Sequence, residues 1–231
     1  MNVDVIIPIF NQTKYLEAAL NSCLKQGILK KNIYLIDDCS SDSPEKIAMK
    51  YGINFLKTDT NSGPAAARNL GIKNSSSEYI AFLDADDAML PGRILASLNS
   101  LMQNDAAMVC GNYRFWINRI TITSPFYKKE IDISYDNMIK NNFVASGSVM
   151  VKRKILEEVG NFNESYLLAE DYDLWLRIVE KYKINYIHDP LYLYHRDTIN
   201  KVSLTSNPKN LNLLLTNVEK IKQDSIKRMK Q

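Results

Sequence analysis

Apolar and polar positions alternate in two rhythms along this 231-residue chain. Residues 3–9, VDVIIPI, form an unbroken run of mostly β-branched side chains ending at Phe10-Asn11. Such a run predicts a strand buried on both faces, as in a parallel sheet. Tyr15, Leu16, Ala19, Leu20, Cys23 and Leu24 then recur at three-to-four spacing, which predicts an amphipathic helix with Gly27 near its end. A second apolar run, residues 33–36, leads into the polar stretch DDCSSDSP, whose Ser43-Pro44 opens another helix. Residues 53–56 read as a third strand. The turn Asn61-Ser62-Gly63-Pro64 leads to a helix over 65–73, residues 79–83 form a fourth strand, and 91–101 a further helix.

Strands that alternate with helices imply an α/β fold around a parallel sheet. Ligands gather at the carboxyl ends of such strands. The second strand ends at Asp37-Asp38 and the fourth at Asp84-Ala85-Asp86-Asp87, so two acidic clusters fall on that edge. Beyond Leu101 the rhythm loosens. Residues 106–116 and 119–122 read as strands, 135–141 as a helix and 148–151 as a strand. An amphipathic helix spans 169–181, two short strands flank Asp189-Pro190 within 184–194, and the end is helical from about Pro208.

Composition narrows this picture. Apolar residues make up 45%, ordinary for a globular chain, and no apolar stretch is long enough to cross a bilayer. Asp4 interrupts the N-terminal apolar run and no basic segment precedes it, so the chain reads as cytoplasmic. Three scattered cysteines, Cys23, Cys39 and Cys110, show no CxxC spacing and argue against a zinc site or a disulfide framework. From Ser206 to Gln231 there are six basic residues against two acidic ones; this +4 leaves −1 on the rest of a +3 chain. The body is therefore not a nucleic-acid-binding surface, and the tail is a basic appendage.

Each candidate group has two readings. Asp84 and Asp86 stand two apart, which on a strand places both side chains on one face. Converging carboxylates suit a hard divalent ion with positions open for phosphate oxygens; alternatively they cap the next helix. Asp38 could accept hydrogen bonds from a nucleobase and a sugar hydroxyl, while Asp42 fits an N-cap for the helix at Pro44. Glu170-Asp171 opens EDYDLWLRI, where acids suit the helix dipole or, in the sharper reading, Asp171 projects into a cleft as a general base. Arg68 could bind phosphate or clamp loops by pairing with the acidic run. His195, beside Arg196, could reach a diphosphate or a metal, or be structural. Walker A, GxGxxG, GxSxG and HExxH patterns are all missing from the sequence.

Five segments occur together: VDVIIPIFN, LIDDCSSD, NSGPAAARNLGI, YIAFLDADDAMLPGRI and VGNFNESYLLAEDYDLWLRI. In this order and spacing the chain resembles the inverting family 2 glycosyltransferases of bacterial cell-surface polysaccharide type. The resemblance implies a GT-A fold: a Rossmann-like, mostly parallel sheet flanked by helices, with a C-terminal helical extension. Residues 1–103 then form the nucleotide-binding half, 104–205 the acceptor-binding half, and 206–231 a basic amphipathic helix. It places Pro8, Phe10 and Asn11 at the nucleoside, Asp38 on uracil, and Arg68 near the phosphates. Asp86 becomes the principal ligand of Mn²⁺ or Mg²⁺, with Asp84 second and Ala85 between them. Glu170 and Asp171 form the ED pair, with Asp171 as the base. The implied partners are a UDP-sugar donor carrying a hexose-type sugar and a glycan or lipid-linked saccharide acceptor.

The closing segment departs from the family. Many members have an arginine followed a few residues later by a histidine; here the order is His195-Arg196, then Asn200-Lys201. Membrane helices like those of processive synthases are missing, which implies single addition. In the tail, Leu211, Leu214, Val218 and Ile221 line up beside lysines, and this stripe could dock on anionic lipid at the inner face of the membrane or fold back on the domain. Two alternatives remain. A sugar nucleotidyltransferase should carry a glycine- and basic-rich loop after the first strand, where this chain reads FNQTKYL. A catalytically silent binding module would not release UDP.

Overall fold

The computed structural model describes residues 2–117, 120–123, 131–196 and 208–231. Arg119, Asn200 and Lys201 lie outside them, as does the end of the 104–205 half. Nine strands among the described residues form one sheet, ordered β3-β2-β1-β4-β8-β6-β9-β5, with β7 (Ile120–Thr123) pairing antiparallel with β6. β1 (Val3–Ile9) lies between β2 (Ile33–Asp37) and β4 (Tyr79–Phe82), and β3 (Asn54–Lys57) extends β2; all these pairs are parallel. Antiparallel β8 (Met150–Lys152) joins β4 to β6 (Met108–Ile117), so the sheet continues without a break past residue 103.

Alternation within the buried strands separates two cores. Ile6, Ile36, Ile80 and Phe82 face one side. There they meet α3 (Gly63–Asn74), α6 (Arg153–Val159) and the Leu174, Trp175 and Ile178 stripe of α7 (Glu170–Val179). Val5, Ile7, Leu35 and Ala81 face the other side, covered by α1 (Thr13–Lys25) and α4 (Arg93–Gln103). Both faces are dry, which is why β1 reads as a continuous apolar run rather than an alternating one. Gly71 lets α3 lie close to the sheet: a Cβ there would sit 2.6 Å from Ile6 Cγ2.

Several expectations need correction. The two strands expected around Asp189-Pro190 are one, β9 (Ile184–Arg196), parallel to β6. Its register jumps where Gly111 pairs with Ile187, Asn112 with Pro190 and Tyr113 with Tyr192, so a bulge accommodates the proline. Residues 135–141 shorten to one helical turn, α5 (Tyr135–Met138). Asp42 does not cap α2 (Pro44–Tyr51); its Oδ2 instead accepts from the Thr13 amide and hydroxyl, both at 2.8 Å, at the start of α1. Strand β5 (Ala88–Met89) and helix α6 were not foreseen. The basic tail forms α8 (Leu211–Arg228), which folds back on α7 with Ile221 and Ser225 buried. Its inward stripe includes Leu214, Val218 and Ile221, whereas Leu211 is exposed.

Candidate active site

A cleft of about 1170 Å³ opens along the carboxyl edge of β1, β2 and β4. Pro8, Phe10, Asp38, Arg68, Asp84, Ala85, Asp86, Glu170 and Asp171, all singled out from the sequence, share its lining. Asn11 and His195, also singled out, are not part of that lining. Asn11 takes a left-handed φ of 53° and ties the β1 and β2 loops together: its Oδ1 accepts from the Ser41 amide at 2.8 Å and its own amide donates to Ser40 Oγ at 3.0 Å.

Asp38 serves the architecture before any ligand. Oδ1 accepts from Thr58 Oγ1 at 2.8 Å and the Ser62 amide at 2.9 Å, and Oδ2 from the Gly63 amide at 2.8 Å. A carboxylate offers about four acceptor positions, so about one remains for a nucleoside.

The acidic run is a turn and not, as strand spacing suggested, a strand. β4 stops at Phe82, and the Asp87 amide donates to the Asp84 carbonyl at 3.0 Å. Arg68, 5% exposed, reaches this turn from α3. Its Nη2 donates to Asp84 Oδ1 at 2.9 Å and its Nη1 to Glu170 Oε1 at 2.8 Å, with the guanidinium over the Phe162 ring. The clamp reading of Arg68 is therefore the one the geometry supports: it fixes the acidic turn against the start of α7.

Ala169, in a left-handed conformation with φ of 64°, turns the chain into α7 so that Glu170 and Asp171 face the cleft. Asp171 Oδ2 accepts from Ser146 Oγ at 2.8 Å and Oδ1 from the Tyr172 amide at 2.6 Å. Burial raises the Asp171 carboxyl above the ordinary aspartate range, against the Ser146 hydrogen bond and the Arg68 charge. Burial and the Asp171 charge push Glu170 up to about 7 despite Arg68. Burial, reinforced by Asp84, also raises Asp87 well above its ordinary range. Asp87 Oδ1 accepts the His195 amide at 2.8 Å, fastening β9 to the acidic turn. The His195 ring lies against Tyr15 at 4.4 Å and Trp116 at 4.8 Å.

Sequence reasoning missed Ser146, Gly147 and Tyr192. Ser146 sits in an undistinguished stretch, ASGSVM, and only the fold brings it to Asp171. At Gly147 a Cβ would fall 3.1 Å from Tyr192 Cε2 and 3.3 Å from Asp87 Oδ2. Those side chains' Oδ2 and hydroxyl are buried without a partner among the described residues.

The donor set at the turn fits a hard divalent cation. Two carboxylates, Asp84 and Asp86, line the cleft at this turn, and Arg68 bonds Asp84 through Oδ1. No cluster of three acidic, histidine or cysteine groups exists among the described residues to cage an ion unaided. Mg²⁺-like ions are commonly held by one or two carboxylates plus substrate phosphates and water.

The mostly parallel sheet, with an acidic turn at its carboxyl edge faced by a helix opening on Glu-Asp, matches solved structures of the GT-A class of glycosyltransferase fold. The S. aureus TarS 1–349 structure in complex with UDP superposes with a TM-score of 0.76 at 22% identity. That match covers 98% of this chain and 65% of that one, so the chain spans just under two thirds of TarS 1–349. A mannosyltransferase from Pyrobaculum calidifontis in complex with GDP-Man and Mn²⁺ gives a TM-score of 0.67 at 16% identity, covering 84% of this chain and 56% of that one. The profile described as Glycosyl transferase family 2 matches residues 4–160. An Escherichia coli UDP-Glc:alpha-D-GlcNAc-diphosphoundecaprenol beta-1,3-glucosyltransferase, WfgD, is 30% identical over 80% of this chain and 73% of its own length. The chain belongs to glycosyltransferase family 2 and is a transferase by that membership.

Proposed function

We propose that this chain transfers a hexose-type sugar, with inversion, from a UDP-sugar to a saccharide or lipid-linked saccharide in cell-surface glycan synthesis. The observation that carries the reading is Asp171. It is a carboxylate oriented by Ser146, made more basic by burial, and set in the same cleft as the Asp84-Ala85-Asp86 turn. The UDP-sugar reading is supported by WfgD's UDP-Glc donor and by the UDP complex of TarS.

The base accepts the proton of the acceptor hydroxyl as its oxygen attacks the anomeric carbon. The bond to the UDP oxygen breaks on the opposite face, and UDP leaves. Arg68 holds the Asp84 side of the cleft at a fixed distance from Glu170 and hence from its neighbour Asp171. Pro8, Phe10 and the remaining acceptor position of Asp38 receive the nucleoside, with Asn11 bracing their loop. When bound by Asp86, with Asp84 beside it, Mn²⁺ or Mg²⁺ supplies neutralisation of charge on the diphosphate. WfgD's diphosphoundecaprenol acceptor supports placing the reaction at a membrane surface. No helix of the described residues is long and apolar enough to cross one.

The test is a panel of nucleotide-sugars with Mn²⁺, scored for binding and slow release of free nucleotide. UDP-sugars are expected to bind and hydrolyse. A protein that binds and hydrolyses no UDP-sugar refutes the assignment.

A further inference from the structure

We infer that Asp87, Arg93 and Tyr192 form a buried positioning group behind the acidic turn, and that this group sets the geometry in which Asp84 and Asp86 meet a divalent cation. This rests on the metal-assisted transferase reading above and adds to it the residues that support its cation site from the protein side.

The turn has two sides. Asp84 and Asp86 are partly exposed and line the cleft, whereas Asp87 is 3% exposed and lies outside that lining. Aspartate is almost never fully buried unless paired. One oxygen of Asp87 is paired, with the His195 amide. The other, Oδ2, is buried without a partner among the described residues, and so are the Tyr192 hydroxyl and Arg93 Nε and Nη1. These atoms are opposite in kind, one acceptor against hydroxyl and guanidinium donors. They are also neighbours. Tyr192 Cε2 and Asp87 Oδ2 lie 3.1 and 3.3 Å from where a Cβ on Gly147 would sit, and Arg93 is within electrostatic reach of both side chains. Complementary buried groups of this kind are joined directly or through internal water.

The same three side chains hold both ends of the turn. Ahead of it, where β4 ends, Arg93 Nη2 donates to the Phe82 carbonyl at 2.7 Å and to the Val149 carbonyl at 3.3 Å. Behind it, Asp87 fastens the His195 amide, and Tyr192 pairs with Met89 of β5. Between these anchors, Asp84, Ala85 and Asp86 face the cleft. Arg93 is fully buried, and desolvating a guanidinium is costly where an apolar side chain would fill the same space. What the arginine adds is a rigid fork of donors and a positive charge behind three aspartates. Carboxylates that bind a metal depend on such outer contacts for their orientation, and losing one commonly costs about 10–100-fold in metal affinity.

Calorimetric titration of UDP into the full chain, once with Mn²⁺ and once with a chelator, tests this. Wild type is expected to bind UDP more tightly with Mn²⁺. Tyr192→Phe removes one buried hydroxyl, Asp87→Asn keeps an acceptor for the His195 amide but not the charge, and Arg93→Lys keeps the charge but not the fork. Each is expected to weaken Mn²⁺-dependent UDP binding about tenfold or more while binding in chelator is unchanged. Thermal unfolding in chelator identifies a variant that has lost its fold, in which case Tyr192→Phe, the mildest, decides. A purely structural role would lower UDP affinity equally with and without Mn²⁺, and that result overturns the inference. So does a full Mn²⁺-dependent gain in Tyr192→Phe and Asp87→Asn. Failure of the underlying reading shows separately: wild type then binds UDP without any gain from Mn²⁺, or Asp86→Asn keeps the gain, and the inference falls with it.

Discussion

Glu170 is 7% exposed, adjoins Asp171 in the first turn of α7, and has its carboxyl pushed up to about 7 by burial and by that neighbour's charge. The same side chain in an unfolded chain titrates near 4.5. The folded value is the higher one, so folding tightens the proton. Below pH 4.5 both states are protonated and the site costs nothing. Between 4.5 and about 7 the unfolded chain releases its proton first and stability falls as pH rises; above about 7 the loss is complete. At about 1.36 kcal/mol per pH unit, that loss is on the order of 3 kcal/mol. Glu170→Gln keeps the shape and an acceptor for Arg68 but never carries the charge. At pH 8 the variant is expected to be more stable than wild type by about 1–3 kcal/mol, the lower end allowing for a weaker hydrogen bond to Arg68. At pH 5 the difference should shrink below about 1 kcal/mol. Urea unfolding of both proteins at the two pH values, with a chelator present and m-values compared, measures this. A variant less stable than wild type at pH 8, or a difference of equal size at both, refutes the reasoning. A gain in stability accompanied by loss of transfer would mark the charged pair as a functional group held at the expense of the fold.

Further outcomes are expected. Asp171→Asn should keep UDP-sugar binding while transfer falls about 10²-fold or more; turnover within about tenfold of wild type would remove Asp171 as the base. Ser146→Ala deletes a hydrogen bond that holds the Asp171 carboxyl down, so the acidic limb of the kcat/KM profile should move to higher pH and kcat should drop about tenfold. An unmoved limb would make Ser146 incidental. Gly71→Ala places a Cβ 2.6 Å from Ile6 Cγ2 between two fixed elements and should cost about 1–3 kcal/mol in thermal unfolding. Unchanged stability would show that α3 can shift off β1.

Much of the first hundred residues was legible because burial on both faces writes itself into the chain. β1 matches the apolar run at residues 3–9, and α1 carries the expected stripe of Leu16, Ala19, Leu20 and Cys23. Later elements depend on partners far along the chain. β5 is two residues long and exists through its pairing with Leu193 and Tyr192 of β9. β9 runs through Pro190 because a bulge opposite Asn112 absorbs it, a device that local pattern cannot disclose. Asp42 satisfied every local criterion for capping α2 yet bonds to Thr13, 29 residues away, since the β1 and β2 loops lie side by side.

The candidate site divides along the same line. Asp38, the Asp84-Ala85-Asp86 turn and Asp171 could be found because strand ends and helix starts converge on one sheet edge in any fold of this class. What couples them was legible only in part: pairing of Arg68 with the acidic run was one of its two readings, but its second partner, Glu170, was not foreseen. Asp84 and Glu170 share one cation from α3, bonded through two nitrogens of a single buried guanidinium. A rigid planar fork fixes the separation of its two acceptors, which an ammonium on a flexible stem does not. The acidic turn and the start of α7 are thus held in register by a group outside both sequence motifs. Displacing either carboxylate from Arg68 would leave the buried cation with half its partners, so the clamp resists independent movement of the two. That resistance is what a transferase needs from the two sides of its cleft, since the leaving group and the base must stay in line on opposite faces of one carbon.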